Sequence, residues 1–189
     1  MKANAFNDPL IYTFSRLYFD VKEKRNQMGR TLILLASLAG KKSIDVMLAD
    51  DDVESREIFI EAIKEVAPQV NVRVADNGRD LMGFLLNQRA TLPDLIFLDL
   101  NMPLKNGHEC LEEIRSTDEL KDIPVIIYST SSSLQHIDET YKRGANFYVP
   151  KPDSFKELKW IANKILSLDW AEHIRPRREK FVLVADRLK

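Results

Sequence analysis

The sequence predicts an α/β protein: a parallel sheet of five strands with helices on both faces. Short apolar runs alternate with amphipathic stretches between Ile44 and Leu168, the signature of repeated strand–helix units. The middle runs, Leu95-Ile96-Phe97-Leu98 and Val125-Ile126-Ile127-Tyr128, are nearly continuous in apolar residues, as strands buried on both faces are. Finally, four of the five runs deliver a polar group at or just past their ends: Asp50 and Asp51, Asp99, Ser129, and Lys151. Ligands of such sheets bind beyond the C-terminal strand ends, so these groups belong to one edge.

Residues 1–43 precede this pattern. Asn7-Asp8-Pro9 is a helix-start signal, and Leu10, Phe14, Leu17 and Val21 form one apolar stripe, predicting a short amphipathic helix over about 9–27. It could dock on the main domain or mediate self-association as a homodimer. The regular part starts with the strand Ile44–Ala49. A helix carrying Phe59, Ile63 and Val66 follows, stopped by Pro68. Val70–Val74 alternates apolar and polar, as a half-exposed edge strand does. Asn77-Gly78 turns the chain into a helix marked by Leu81, Phe84 and Leu85. The strand 94–99 comes next, then a loop broken by Pro103 and Gly107, and a helix over 107–116. Pro124–Tyr128 is the fourth strand. Leu134, Ile137 and Tyr141 mark a helix closed by Gly144. Asn146–Val149 is the fifth strand, and Phe155, Leu158, Ala162, Ile165 and Leu168 mark a long last helix. The expected organisation is therefore an extension over 1–43, one domain over 44–170, and a tail over 171–189 too short for a further output domain.

Composition narrows the class. The chain has 189 residues, 44% of them hydrophobic and 30% charged, which describes a globular domain rather than a disordered one. A net charge of -1 gives no bulk attraction to nucleic acid or membrane. The apolar run Thr31–Gly40 is short of the roughly 18 residues a membrane span needs. The one cysteine, Cys110, fits a reducing, cytoplasmic setting and reads as a small buried hydrophobe. Arg175-Pro176-Arg177-Arg178-Glu179-Lys180 reads as a solvated basic tail, and Phe181-Val182-Leu183-Val184 as a strand that adds to an edge or to a partner. His108, His136 and His173 show no ligand spacing and are assigned surface roles.

The strand-end groups carry the chemistry. Three carboxylates at one edge repel, by about 4 kcal/mol for a pair some 4 Å apart at an effective dielectric near 20. Lys151 and a hard divalent cation would offset them, and oxygen-only ligation suits Mg²⁺. Their formal charges then cancel. A carboxylate so neutralised can attack phosphorus and form an acyl phosphate. The reading is phosphoryl transfer onto Asp99, with Lys151 and the metal offsetting charge on the phosphoryl oxygens and Ser129 donating a hydrogen bond to them. Taken singly, each residue has a plainer explanation: Asp52 caps the helix at 53, Ser129 caps the next helix, and Lys151 is a solvated lysine. Their coincidence at one edge favours the site.

Together these motifs resemble the receiver domain of two-component response regulators, over about residues 44–170. The resemblance rests on Met47-Leu48-Ala49-Asp50-Asp51, on Asp99-Leu100-Asn101-Met102-Pro103 through Asn106-Gly107, and on Ser129, Tyr148 and Lys151-Pro152. It implies a flavodoxin-like sheet in the order 2-1-3-4-5. It also implies that Asp99 accepts phosphate from a histidine kinase or phosphotransfer protein. Asp51, Asp99 and the Asn101 backbone carbonyl would hold Mg²⁺, with Asp50 acting through water. Ser129 and Tyr148 would form the switch, and the face of the fourth helix, fifth strand and fifth helix would select a downstream protein target. Asn101 and Ser131 sit where the family tunes dephosphorylation. A cis Lys151–Pro152 bond is implied as well. The departures are Ser129 for the commoner Thr and Asn106 for the commoner Asp. The leading expectation is a single-domain regulator, not an enzyme on other substrates. A Mg²⁺-dependent phosphatase with an aspartate nucleophile is disfavoured because Asn101 stands where its second Asp belongs. A phosphorylation-independent scaffold is disfavoured by the intact acids, Ser129 and Lys151.

Overall fold

A computed structural model of the chain describes residues 44–87, 91–170 and 175–185. The helix expected over 9–27, the apolar run at 31–40 and His173 lie outside the described residues. Five strands, β1 (Asp45–Ala49), β2 (Asn71–Ala75), β3 (Leu95–Leu98), β4 (Val125–Ser129) and β5 (Phe147–Pro150), pair in parallel in the order β2-β1-β3-β4-β5. They alternate with helices α1 (Val53–Val66), α2 (Gly78–Asn87), α3 (Gly107–Ser116), α4 (Leu134–Lys142) and α5 (Phe155–Leu166). This is the flavodoxin-like order. The last helix stops at Leu166, where Ser167 caps it, although Leu168 and Trp170 still pack against the core.

The period-two alternation of the strands divides the core into two layers. Met47, Ala49, Ile96, Leu98, Val125 and Ile127 face Leu81, Leu85, Leu111, Ile114 and Ile137 of α2, α3 and α4. Val46, Leu48, Leu95, Phe97, Ile126 and Tyr128 face Phe59, Ile63, Leu158 and Ile165 of α1 and α5. Burying a Leu, Ile or Phe side chain contributes roughly 1.5–3 kcal/mol, so a register slip in any central strand is strongly disfavoured. That fixes which strand-end residue meets which. Asp52 does cap α1, accepting from the Glu54 and Ser55 amides.

One expectation is corrected, at Lys151–Pro152. Residues 175–180 are mostly exposed, and the segment after them adds to the sheet edge: Tyr148 N–H donates to Phe181 O at 2.9 Å and Leu183 N–H to Tyr148 O at 2.8 Å, making one parallel bridge at Val182. The segment is thus an edge addition of a single bridge. Phe181 is buried, because the β5 edge offers unpaired backbone and an aromatic seat to a ring that water would otherwise surround. Tyr148 is fully buried. Among the described residues no peptide bond is cis. Lys151–Pro152 is trans, the form favoured by about 0.5–1 kcal/mol even before proline, and Lys151 N–H continues the ladder to Ser129 O at 2.8 Å.

Candidate functional site

β1 and β3 are neighbours, and the connections leaving them run to opposite faces of the sheet, so a crevice opens at their C-terminal ends. Asp50 and Asp99 stand there. The sheet pairing carries on past the strands: Asp50 N–H donates to Ala75 O and Asp99 N–H to Ala49 O. Both carboxylates are nearly inaccessible, at 0% and 4% exposure, while Asp51 is exposed. Carboxylate oxygens of Asp50, Asp51 and Asp99 lie within 4.8 Å of one another. Lys151 comes from beyond β5 and bridges two of them, with Nζ 2.7 Å from Asp50 Oδ2 and 2.8 Å from Asp99 Oδ2. Burial works against its charge, but the hydrogen bonds to Asp50 and Asp99 outweigh burial and hold its pKa above the ordinary lysine value. The ammonium also lies 5.4 Å from the Tyr128 ring, whose phenol is pushed up by burial and by the two nearby acids.

The loop after Asp99 is tightly folded. Asn101 N–H donates to Asp99 Oδ1 at 3.2 Å, so the backbone bends around the carboxylate. Lys105 N–H donates to Pro103 O at 2.7 Å across Leu104, whose φ is 65°. This is a γ-turn with a non-glycine residue in the left-handed region, a strained choice of the sort found at functional loops. At Gly107 a Cβ would stand 2.2 Å from Asp99 O; only glycine admits that approach. Asn106 and Glu109 then form a capping box that starts α3. Asn106 in place of the commoner Asp loses nothing there.

The donor set fits a hard divalent cation. It is oxygen-only, and Lys151 leaves the acids with surplus negative charge. Asp50 is the least available ligand. Its Oδ1 accepts from Asp52 N–H at 3.1 Å, and its Oδ2 from Ser55 Oγ and Lys151 Nζ, both at 2.7 Å. Asp51 is exposed beside it, and Asn101 lies in the same loop mouth.

Ser129 is fully buried at the end of β4. Its hydroxyl accepts from Ser131 N–H at 3.4 Å, and the Ser131 carbonyl accepts from the Tyr148 hydroxyl at 2.6 Å. Burial pushes the Tyr148 phenol up, against the pull of that hydrogen bond. Sequence reasoning missed the histidines here. His136 Nδ1 lies 2.9 Å from Ser131 Oγ, and the His136 and His108 rings meet at 5.3 Å. α3 and α4 are adjacent on one sheet face, which spacing along the chain does not reveal. Arg115 was missed too. It donates to the carbonyls of Gly144, Lys121 and Ile123 and to Asn146 Oδ1, tying α3 to the turn before β5. Cys110 is buried, as expected, with its thiol pushed up to about 12 by burial.

A five-stranded parallel α/β sheet with an acid cluster and a lysine at its C-terminal edge defines a class, and the family model agrees. The chain belongs to the response regulator receiver domain family, whose model matches residues 46–163. Among its relatives, response regulator Rcp1 of Synechocystis sp. is 30% identical over 133 residues, 68% of this chain and 90% of that protein. Chemotaxis protein CheY-3 of Vibrio cholerae is 28% identical over 124 residues, 66% of this chain and 92% of that protein. Among solved structures, the phosphorylated cyanobacterial phytochrome response regulator RcpA superposes with a TM-score of 0.62 at 32% identity, covering 66% of this chain and 91% of that one. The Mn²⁺-bound form of Rcp1 gives 0.61 at 29% identity, covering 71% and 99%. The chain is therefore a signalling protein of the two-component class. Receiver domains act in phosphorelay signalling with histidine kinases or phosphotransfer proteins and with downstream targets. Among the described residues no helix is long and apolar enough to cross a membrane.

Proposed function

We propose that Asp99 is the phosphoacceptor of a phosphorelay, taking a phosphoryl group from the phosphohistidine of a kinase or phosphotransfer protein. One observation carries this reading: a nearly buried carboxylate, bonded to Lys151 and within 4.8 Å of two further acids, at the crevice of the sheet. An Asp99 oxygen forms the new O–P bond as the P–N bond to the donor imidazole breaks, and the imidazole leaves with the bonding pair. Lys151 keeps its contact to Asp99 and offsets charge on the phosphoryl oxygens. Asp51, Asp99 and the Asn101 carbonyl would hold Mg²⁺, and Asp50, its oxygens already engaged, would act through water. The metal, when bound, supplies positive charge to the transferring phosphoryl group. The Ser129 hydroxyl turns from its Ser131 contact to a phosphoryl oxygen, and Tyr148 responds. The chain catalyses only its own phosphorylation and dephosphorylation, in the cytoplasm, and its output is binding to a downstream protein.

Incubation with acetyl phosphate, with and without Mg²⁺, followed by intact mass tests this. The expected result is a single adduct that requires Mg²⁺ and is absent from Asp99→Asn. Labelling that persists in that variant overturns the assignment. Multiple turnover of small phosphate esters would mark a phosphatase instead.

A further inference from the structure

Two histidines meet beside the acid site without belonging to it. His108 lies in the first turn of α3 and His136 in the first turn of α4. Their rings stand 5.3 Å apart at 68°, and both residues are half-buried. A tetrahedral ion about 2.0–2.1 Å from one nitrogen of each ring lies about 3.2 Å from each ring centre, which puts the centres about 5.2 Å apart. The observed spacing is that of a ligand pair. Edge-to-face packing of two rings gives a similar distance, so the surroundings decide between the two.

Three features of the surroundings favour ligation. His136 is oriented from behind. Its Nδ1 lies 2.9 Å from Ser131 Oγ, which also accepts from Ser133 N–H at 3.3 Å. A hydroxyl oxygen has two lone pairs, so Ser131 can accept from both, which puts the His136 proton on Nδ1 and leaves Nε2 its lone pair. Metal-binding histidines are commonly fixed in this way through the other ring nitrogen. His108 Nδ1, in turn, is buried and has no hydrogen-bond partner, a condition that buried polar atoms avoid or satisfy with water or an ion. Burial and the neighbouring His136 lower the His108 pKa, so the ring is neutral, as a ligand must be. Finally, the half-buried Glu139 follows His136 by three residues on the same helix face. Gln135 donates to its Oε1 at 2.9 Å, and its charge acts on both rings. That charge would offset an ion held where two helix starts otherwise disfavour positive charge. Arg143, the other charge acting on His108, is paired with Glu112.

We propose that His108 and His136 hold a borderline transition-metal dication such as Zn²⁺, through His108 Nδ1 and His136 Nε2, with the Glu139 carboxylate and water completing the shell. Imidazole nitrogen selects such an ion over Mg²⁺, which the oxygen-only acid site suits. The chain then carries two metal sites of different chemistry. The second clamps the first turn of α3 to the first turn of α4 and pins the loop at Ser131. It does not depend on the reading of Asp99.

The test strips the full chain of metal with a chelator, holds it in excess Mg²⁺, and titrates it with Zn²⁺ by calorimetry and with Co²⁺ by visible absorption. One Zn²⁺ per chain should bind, and Co²⁺ should develop the intense visible bands of a tetrahedral site. His108→Gln and His136→Gln should each weaken Zn²⁺ binding by about a hundredfold or more, and Ser131→Ala by about tenfold. Glu139→Gln should weaken it several-fold, while Asp51→Asn and His173→Gln should bind as wild type does. NMR of the wild-type rings reads the same site without any variant: Zn²⁺ should shift the His108 and His136 resonances and leave those of His173 in place. Zn²⁺ should also raise the melting temperature of wild type and of neither histidine variant. No Zn²⁺ binding in Mg²⁺ would overturn the proposal, as would binding lost in Asp51→Asn and kept in both histidine variants. Shifts of the His173 resonances alone would overturn it too. Half an ion per chain with dimer formation would place the ion between copies and overturn the site within one chain.

Discussion

At the ends of β1 and β3 the chain gathers like charges around one lysine; at the outer edge of β5 it gathers aromatic rings and paired backbone. The first region is held apart by its own electrostatics. The carboxylates of Asp50 and Asp99 are buried with Lys151 between them, and the acids together outnumber that one cation, a surplus that a bound cation would offset. The second is held together by apolar contact and carries no such excess. The difference assigns the regions different work. A site poised by charge suits chemistry and ion binding; a buried ring and a short bridge keep the sheet edge closed.

The largest effect should come from removing the central cation. Lys151→Met leaves two buried carboxylates facing each other, and breaking a buried pair costs about 3–5 kcal/mol. Urea denaturation at neutral pH should show a loss of that order, and adding Asp50→Asn should recover part of it. If the single variant is as stable as wild type, the charge-poised account of this region fails. The pH dependence has a definite sign. The folded pKa of Lys151 is raised above its unfolded value, so its stabilisation is complete below the ordinary lysine pKa and is lost as pH rises through the raised native value. Phosphoryl acceptance from acetyl phosphate should fall by about a hundredfold or more in Lys151→Met, read by intact mass over time, since one preorganised charge contributes about 10²–10³.

Truncating the ring of the second region comes next. Phe181→Ala should cost about 3 kcal/mol, the lower end for a buried phenylalanine, because the edge can close over part of the space. Thermal and urea unfolding check this. A loss below about 1 kcal/mol would mean that the ring is not a core residue in solution, and the contrast between the regions would then rest on backbone pairing alone.

The two regions were unequally readable from sequence, for physical reasons. Each acid-site residue sits at or just past a strand end, and strand ends follow from apolar runs and the turns that stop them. Parallel pairing then brings Asp50, Asp99, Ser129 and Lys151 to one edge whatever the side chains do. The β5 edge has no such generator. Phe181 follows a basic run, and a single ring has no period; its seat is made by Tyr141 and Tyr148 from two other elements. The pairing of His108 with His136 depends on α3 and α4 lying side by side, which sequence order alone does not specify. Nothing in the sequence singles out Arg115, because its acceptors are mostly carbonyls, which every residue carries. The trans Lys151–Pro152 bond was misjudged because the resemblance, not the local sequence, set the expectation.

Arg115 comes next in size of effect. Burial lowers its pKa to about 10, yet it remains charged at neutral pH and satisfies carbonyls from three loop positions and the Asn146 side chain. Arg115→Lys keeps the charge but cannot reproduce the planar fork. Leaving several acceptors unpaired should cost about 1–3 kcal/mol in urea denaturation, with the turn at Gly144 showing the greatest loss of amide protection.

The smallest effect concerns the histidine pair behind Ser131. Burial, then the neighbouring His136, lowers the His108 pKa, with Glu139 opposing and Arg143 adding to the shift. A histidine whose folded pKa lies below its unfolded value binds fewer protons when folded. It therefore favours the folded state above the ordinary histidine pKa, and that contribution is lost as pH falls through the depressed native value. Stability should decline as pH drops below about 6.5, the unperturbed histidine value, and His108→Phe should flatten that part of the profile. If His108→Phe leaves the acid limb of the stability curve unchanged, His108 does not set that limb.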